Sequence, residues 1–275
     1  MLCISPLNIP RPNGQGNKDR IVVPCGKCVA CLVNRREDWT IRLKEELKNA
    51  TYAHFVTLTY SDDNLKYGRY APTLDKTDLQ KFFKRLRKNS RSNNLRYYAV
   101  GEYGTKTLRP HYHIILFNLY DSNLIDKSWQ LGNIQVGQVT GGSIHYVTKY
   151  HVNKTDSPED VEKPFALMSK RPAIGSNYIE KMNDYHSGYP QRAYYTELGG
   201  VKKRLPRFLK TKLYSKEELT LIANANNIIA TNSKQKSELD FKNSNPDKDY
   251  FEYDTSLKEE LIRTYKQKSN YNNKI

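Results

Sequence analysis

The sequence predicts an α+β protein in which an antiparallel β-sheet is flanked by helices. The predicted element order, helix, strand, helix, strand, strand, strand, helix, favours this class over alternating βαβ units. Two of the middle strands are joined by a loop of moderate length, as in an antiparallel hairpin. A cysteine-rich segment precedes these elements, and a polar extension follows them.

The helical segments show apolar stripes at helical spacing. A first helix is predicted over 34–49, where Trp39, Leu43 and Leu47 recur every four residues. A second helix is predicted from an Asp75 cap to about Asn89. Its apolar positions, which fit one face, are Leu79, Phe82, Phe83 and Leu86.

Four runs have the composition of strands. They cover 53–61, 95–103, 111–118 and 132–140, and a short helix is predicted after them over 143–154. The chain is therefore divided into four segments with different expected roles. These are a cysteine-rich segment (1–33), a catalytic core (34–155), a basic extension (156–214) and a charged, helical or partly disordered tail (215–275). Within the tail, the composition of 231–250 predicts disorder.

The charge balance predicts an anionic partner. The chain carries 45 Lys and Arg against 29 Asp and Glu, a formal net charge of +16. Nucleic acid is the leading candidate, and 21 tyrosines favour it because aromatic rings stack on unpaired bases. The alternative is a soluble protein that is merely basic.

No apolar run approaches the roughly 18 residues that a membrane span needs, so no membrane partner is expected. The start of the chain, MLCISPLNIP, lacks the features of a signal peptide. A reducing cytoplasm is therefore the expected location, and the cysteines are not expected to form a disulfide framework.

All four cysteines, Cys3, Cys25, Cys28 and Cys31, fall in the first 31 residues. Four clustered thiols favour a structural Zn²⁺ site. The consecutive C-x-x-C-x-x-C spacing also occurs in iron–sulfur proteins, and free or redox-active thiols are the third alternative.

The stretch RPHYHIILF at 109–117 places two histidines within an apolar strand. Since alternate residues of a strand share a face, His111 and His113 are expected side by side. If the preceding strand pairs with this one, Glu102 can join them and complete a site for a catalytic metal with open positions. Taken alone, a His-x-His strand is more often structural, and a one-residue change in register would remove Glu102.

A second cluster follows in YVTKYHVNK at 146–154. Tyr146 and Tyr150 are four residues apart, so on a helix they share a face, and Lys149 adjoins the second tyrosine. A tyrosine hydroxyl can act as a nucleophile when a metal polarises its target and a cation favours the phenolate. Two tyrosines at this spacing are otherwise usually packing residues.

These motifs, in order, carry a family resemblance. With FVTLTY (55–60), RPHYHIILF and YVTKYHVNK, the chain resembles the HUH endonucleases, in which two histidines flank a hydrophobic residue. More narrowly, it resembles the replication initiators of gokushovirus-type microviruses, which PCGKCVACLVNRRE (24–37) also matches. The resemblance covers roughly residues 1–180, and Tyr112 departs from the pattern because it is polar at one edge.

The resemblance implies an HUH-type fold and a tyrosine nickase that starts rolling-circle replication. Such an enzyme cuts one strand at the origin, keeps the 5′-phosphate on tyrosine, frees a 3′-OH and later rejoins the ends. It implies Tyr146 and Tyr150 as nucleophiles, with Lys149 stabilising the phosphate or a leaving tyrosinate. His111, His113 and Glu102 would be ligands of Mg²⁺ or Mn²⁺.

The implied partners are single-stranded DNA and duplex origin DNA inside a bacterial host cell, with host helicase and polymerase as further candidates. The basic residues expected at DNA phosphates are Lys84, Arg85, Lys88, Lys202, Lys203, Arg204, Arg207 and Lys210. Two alternatives stay open: a non-catalytic single-strand-binding module with a structural metal, and a single-tyrosine transposase or relaxase.

Overall fold

The computed structural model describes residues 3–11, 19–92, 94–104, 106–149 and 159–271 of the chain. Arg36–Tyr178 form one compact unit, the sheet unit, and the described residues before and after this range form a second, the terminal unit. The strands are β1 (Leu7–Pro10), β2 (Arg20–Val23), β3 (Ala53–Thr59), β4 (Arg96–Tyr103), β5 (Pro110–Phe117), β6 (Ile134–Gln138), β7 (Phe165–Met168), β8 (Tyr194–Thr196) and β9 (Lys202–Arg204). The helices are α1 (Val29–Asn49), α2 (Lys76–Ser90), α3 (Asn123–Ser128), α4 (Gly141–Lys149), α5 (Asn177–His186), α6 (Arg207–Leu213), α7 (Lys216–Ser244) and α8 (Tyr250–Tyr271).

The sheet unit is built on a five-stranded sheet in the order β6-β3-β5-β4-β7. Every neighbouring pair in it is antiparallel, which confirms the predicted α+β class. β4 and β5 form the predicted hairpin, and β5 lies at the centre of the sheet. The fifth strand, β7, comes from a segment whose mixture of apolar and basic residues did not indicate a strand.

The two faces of the sheet are covered by different helices, because the strand residues alternate between them. On one face, the even-numbered residues of β5 pack with α2, where Phe82, Phe83 and Leu86 are fully buried. On the other, Ile115 and Phe117 pack with Leu43 of α1 and with Ile144 and Val147 of α4. Each buried large apolar side chain contributes about 1.5–3 kcal/mol to folding.

Helix α2 begins as the sequence predicts. The Asp75 carboxylate accepts hydrogen bonds from the backbone N–H groups of Thr77 and Asp78, so it caps the helix. The backbone of Asp75 is also held, because the buried Tyr112 hydroxyl accepts from its N–H and donates to its carbonyl, both at 2.9 Å. The same hydroxyl lies 2.8 Å from that of Tyr60. Tyr112, the polar departure from the family pattern, therefore joins the central strand to the start of α2.

Helix α1 is tied to the sheet by a buried ion pair. Glu46 accepts from the Arg96 guanidinium on β4 and, at 2.7 Å, from the N–H of Gly175. Arg96 also donates to the carbonyls of Pro172 and Ala173 at 2.9 and 2.8 Å, so each charge has several partners. Gly175 has φ +73°, and a Cβ there would lie 2.7 Å from the Arg42 carbonyl oxygen, so this close approach requires glycine.

The terminal unit contains two small hairpins and long helices. β1 pairs with β2, and β8 pairs with β9, each antiparallel. α7 runs without a break through 231–244, part of the range whose composition predicts disorder. A capping box between Ser215 and Glu218 starts this helix, and an ion pair from Lys242 to Glu238 supports its last turns. Polar composition was a poor guide here because local caps and charge pairs support the helix.

Within the described part of the chain, no helix has both the length and the apolar character that a bilayer crossing requires.

Candidate functional site

The strand pairing brings Glu102 and the two histidines together. In the β4–β5 hairpin, Glu102 lies directly opposite His111, and Val100 lies opposite His113. On the other side of β5, Thr57 lies opposite His113. The register is the one in which Glu102 shares a face with both imidazoles. Their possible ligand atoms all lie within 4.8 Å of one another.

The contacts within this cluster are short and specific. Glu102 Oε1 lies 3.2 Å from Nε2 of His111 and 3.2 Å from Nε2 of His113. The second nitrogen of each ring is held from outside: His111 Nδ1 lies 3.1 Å from the Arg109 carbonyl oxygen, and His113 Nδ1 lies 3.0 Å from Thr57 Oγ1. Both rings are thereby oriented so that their Nε2 atoms face the carboxylate.

The hydrogen bond from His111 to Arg109 determines what can lie between His111 and Glu102. A carbonyl oxygen only accepts, so Nδ1 of His111 carries a proton. Its Nε2 then faces a carboxylate oxygen, and two acceptors 3.2 Å apart need a proton or a metal ion between them. Ligand atoms about 3.0–3.4 Å apart are expected around an ion with bonds of about 2.0–2.2 Å. The donor set and its spacing therefore fit a divalent metal ion.

Helix α4 carries Tyr146 to this cluster. The Tyr146 hydroxyl donates to Glu102 Oε1 at 2.7 Å and lies 3.3 Å from His113 Nε2. Its ring packs edge-on against His113 and Phe55, with centroids 4.8 and 6.3 Å away. The residue is nevertheless 42% exposed. A tyrosine hydroxyl thus lies beside the possible metal ligands and remains accessible from solvent.

The position of Tyr146 is fixed by the buried side of α4. Ile144 and Val147 are buried in the core beneath the sheet, and Thr148 is also buried. The Thr148 hydroxyl donates to the Ile144 carbonyl at 2.8 Å and lies 3.1 Å from the hydroxyl of Thr40 on α1. Because these three side chains anchor one face of the helix, Tyr146 projects from another face toward the cluster.

The charges in the site are strongly coupled. Burial acts to raise the pKa of Glu102, but hydrogen bonds from His111, His113 and Tyr146 outweigh it and hold that pKa far below its usual value. Burial acts to lower the pKa of His111, yet the bond to Glu102 raises it overall. Burial and the Glu102 charge both raise the pKa of Tyr146. The pKa of Lys149 is lowered, chiefly by burial, while Glu102 opposes the shift.

The other predicted nucleophile, Tyr150, lies outside the described residues. Lys149, its neighbour, is the last residue of α4.

The four cysteines lie in the terminal unit, near the start of α1. Cys3 Sγ is 3.8 Å from Cys28 Sγ, and Cys25 Sγ is 4.0 Å from Cys31 Sγ. All four sulfurs lie within 4.8 Å of one another.

The basic residues predicted to bind DNA fall on two units. On α2, Lys84 and Lys88 are exposed, whereas Arg85 is half-buried and its Nε donates to the Ser128 carbonyl at 2.8 Å. The others lie on β9 and α6 in the terminal unit. They are Lys202, Lys203 and Arg204 on β9, and Arg207 and Lys210 on α6.

Several β9 cations already have partners. Lys203 forms an ion pair with Glu197 at 2.7 Å, and Lys202 Nζ lies 4.3 Å from the ring centroid of Tyr194. Arg204 donates to the Asn34 carbonyl at 2.9 Å. These cations therefore contribute to the local structure of the terminal unit as well as to its positive charge.

The sequence did not identify two residues that shape the site. Thr57 orients His113 through its hydroxyl, and Phe55 stacks on the His113 ring with an interplanar angle of 4°. Both lie in FVTLTY, and their alternation with buried Val56 and Leu58 was the available signal. The missing information was which strand pairs with β5.

The comparisons with known proteins agree on a class. Residues 53–156 match the family model for replication-associated proteins of the ORF2 type. Replication-associated protein VP4 of Bdellovibrio phage phiMH2K is 34% identical over 212 residues, covering 67% of this chain and 65% of that protein. Replication-associated protein ORF2 of Spiroplasma virus 4 is 36% identical over 163 residues, covering 50% of this chain and 51% of that protein. The matched regions thus span between half and two thirds of these relatives.

Two solved structures show only a distant similarity. ORF119, a hypothetical protein from Sulfolobus islandicus rod-shaped virus 1, matches at 22% identity and a TM-score of 0.29, over 40% of this chain and 88% of that one. The N-terminal nuclease domain of minute virus of mice non-structural protein-1 matches at 8% identity and a TM-score of 0.23, over 69% and 98%. Similarities this low support no conclusion about function. Through residues 53–156, the chain belongs to the family of ORF2-type replication-associated proteins.

Proposed function

We propose that this protein is a metal-assisted tyrosine nickase that starts rolling-circle replication of a phage genome. One observation carries the proposal: the Tyr146 hydroxyl lies 2.7 Å from Glu102 Oε1, in the same cluster as both histidines. A nucleophile beside three possible metal ligands is the arrangement that phosphoryl transfer to tyrosine requires. The similarity to phage replication-associated proteins supports the same assignment.

In the proposed site, Glu102, His111 and His113 hold one divalent cation, Mg²⁺ or Mn²⁺. When bound, the ion supplies Lewis-acid polarisation of a DNA phosphate. Three protein ligands leave coordination positions for substrate oxygen and water. Thr57 and the Arg109 carbonyl keep the two imidazoles in the tautomer that directs Nε2 toward the ion.

Tyr146 acts as the nucleophile in this proposal. Its oxygen attacks phosphorus, the bond from phosphorus to the 3′ oxygen breaks, and the departing oxygen takes up a proton to become a free 3′-OH. The 5′-phosphate stays on tyrosine, so the energy of the bond is retained for rejoining. The hydroxyl donates to Glu102, so this carboxylate is oriented to receive the tyrosine proton.

Tyr150 is proposed as the second nucleophile, and Lys149 as the cation that stabilises phosphate or a departing tyrosinate. A second tyrosine would let the protein cut again after one round while it still carries the first strand. The ends would then be joined into a circle.

The proposed partners follow from this reaction. The substrate is single-stranded DNA at the nick, and duplex origin DNA binds the basic residues. Extension from the 3′-OH and strand displacement call for host polymerase and helicase. The proposed setting is the cytoplasm of the bacterial host.

The proposal is tested with an end-labelled single strand carrying the origin and with supercoiled circular DNA. We expect cleavage that depends on Mn²⁺ or Mg²⁺, stops with chelator, and leaves a detergent-resistant link between protein and DNA. Tyr120→Phe is the matched control, because Tyr120 lies in the same unit, is 80% exposed and is distant in sequence from the site residues. It should cleave as the wild type does.

The alternatives give different outcomes. DNA binding without any nick or link, under several metals and on both substrates, would replace the enzyme with a non-catalytic binding module. If Tyr146→Phe abolishes linkage but Tyr150→Phe changes neither cutting nor rejoining, the protein acts through one tyrosine, as a transposase or relaxase does.

A further inference from the structure

We propose that Cys3, Cys25, Cys28 and Cys31 bind one structural zinc ion as a mononuclear tetrathiolate. The site is separate from the proposed nuclease centre in sequence and in chemistry, and it does not depend on the nickase assignment. Its function would be to fasten the N-terminal hairpin to the start of α1.

The spacing of the sulfurs is the first argument. Zinc–sulfur bonds of about 2.3 Å in a tetrahedron place the sulfurs about 3.8 Å apart. The Cys3–Cys28 and Cys25–Cys31 distances are 3.8 and 4.0 Å, and all four sulfurs lie within 4.8 Å of one another. A disulfide needs sulfurs about 2.05 Å apart, so neither pair is bonded. In an iron–sulfur cluster, several irons and sulfides lie between the thiolates and hold them further apart.

Backbone donors around the sulfurs are the second argument. The N–H groups of Lys27 and Cys28 donate to Cys25 Sγ at 3.4 and 3.3 Å, and the N–H of Cys25 donates to Cys3 Sγ at 3.3 Å. Such bonds stabilise negative charge on sulfur, the form that binds metal. The turn that directs them needs Gly26, whose φ is +72°.

The lack of a core beneath the hairpin is the third argument. β1 and β2 are four residues each, and an isolated two-stranded sheet is marginal in water. Their larger apolar side chains contribute little burial, since Leu7 is 50% exposed and Val22 is 70% exposed. Free energy to order this segment must therefore come from elsewhere, and metal binding by four thiolates can supply it.

The donor set also fixes the kind of site. Four thiolates fill a tetrahedral zinc and leave no position for substrate, so the ion would be structural. The His–Glu cluster has three ligands and suits a different role. The protein would thus carry two metals with different ligands, which separate experiments can distinguish.

The test is elemental analysis of full-length protein purified without chelator. We expect one zinc per chain in the wild type and in His111→Ala/His113→Ala, which removes the nuclease ligands. Cys25→Ser/Cys28→Ser should lose the zinc, whereas Lys27→Ser should keep it, because Lys27 is exposed within the same loop and is not a ligand. Cobalt substituted for zinc should give the visible spectrum of a tetrahedral thiolate site.

A wild-type measurement covers the case in which the cysteine variant fails to fold. Stepwise blocking of the thiols should release one zinc for every four thiols blocked, and hydrogen exchange should then increase in β1 and β2. Iron with sulfide, or a mass deficit from disulfides, would overturn the proposal, as would zinc lost with the histidines. Because zinc content is read without DNA, a failure here leaves the nicking result independent.

Discussion

At the residue scale, Thr57 is the side chain that sequence reasoning passed over. Its hydroxyl lies 3.0 Å from His113 Nδ1, the nitrogen that would not bind the metal. Residues that orient a ligand in this way typically change metal affinity or activity 10–100-fold when they are lost. We therefore expect Thr57→Val to weaken Mn²⁺ binding about 10-fold or more, measured by calorimetry on the metal-free protein.

The matched control is Thr59→Val on the same face of the same strand. The Thr59 hydroxyl points to the Asn133 carbonyl at 3.4 Å and lies opposite His111 without bonding its ring. The same chemical change there should leave Mn²⁺ affinity unaltered. Equal losses in both variants would show that the effect comes from strand packing rather than from the orientation of His113.

Tyr112 is expected to stabilise the fold through its hydroxyl. In Tyr112→Phe, the ring still fills the core, but the N–H and carbonyl of Asp75 lose a buried partner. Leaving such groups unsatisfied costs about 1–3 kcal/mol, so the free energy of unfolding in urea should fall by that amount. Tyr120→Phe, at an exposed tyrosine, should leave it unchanged. A stable Tyr112→Phe protein would mean that water or a rearranged backbone replaces the hydroxyl.

At the element scale, the start of α2 depends on Asp75 in two ways. Its carboxylate caps the helix and also pairs with Lys66. Burial acts to raise the pKa of this carboxyl, but Lys66 and the N–H groups of Thr77 and Asp78 lower it overall. Because the pKa is depressed in the folded state, the charge stabilises the protein above the unfolded pKa. That contribution is lost as the pH falls through the folded pKa.

Two substitutions separate these contributions. Asp75→Ala removes the cap and should lower the free energy of unfolding by about 1 kcal/mol through that loss. Asp75→Asn keeps an oxygen acceptor for the cap but loses the ion pair, which at a partly exposed site is worth about 0.2–1 kcal/mol. Urea unfolding at neutral pH and at pH values below the usual Asp pKa should show the Asn deficit shrinking on acidification. A deficit independent of pH would show that the charge contributes nothing.

The elements also show which features the sequence could predict. β4, β5 and α2 were predictable because long alternating or helical patterns dictate them, and the facing of His111, His113 and Glu102 follows from the hairpin register. β7 was not, because its four half-buried residues lack alternation and their pairing with β4 is a long-range contact. The β1–β2 hairpin was missed because its apolar residues bury little surface.

At the scale of the whole molecule, the net charge of +16 predicts binding that depends strongly on salt. The exposed pair Lys84 and Lys88 is expected to contact phosphates. Lys84→Ser/Lys88→Ser should weaken binding of a single strand and reduce the slope of log affinity against log salt by about 1–2. Lys234→Ser/Lys236→Ser makes the same charge change on exposed positions of α7 and should have a smaller effect. Identical losses would mean that only overall charge matters.

The central claim is that a tyrosine of this chain becomes linked to DNA, and peptide mapping of the linked protein tests it most directly. Trypsin cuts after Lys127, Lys149 and Lys154, so Tyr146 and Tyr150 fall in different peptides. The account predicts that the nucleotide-bearing peptide after nuclease digestion is 128–149 or 150–154, with phosphate on tyrosine. DNA linked to any other residue, or cleavage without a linked peptide, would contradict it.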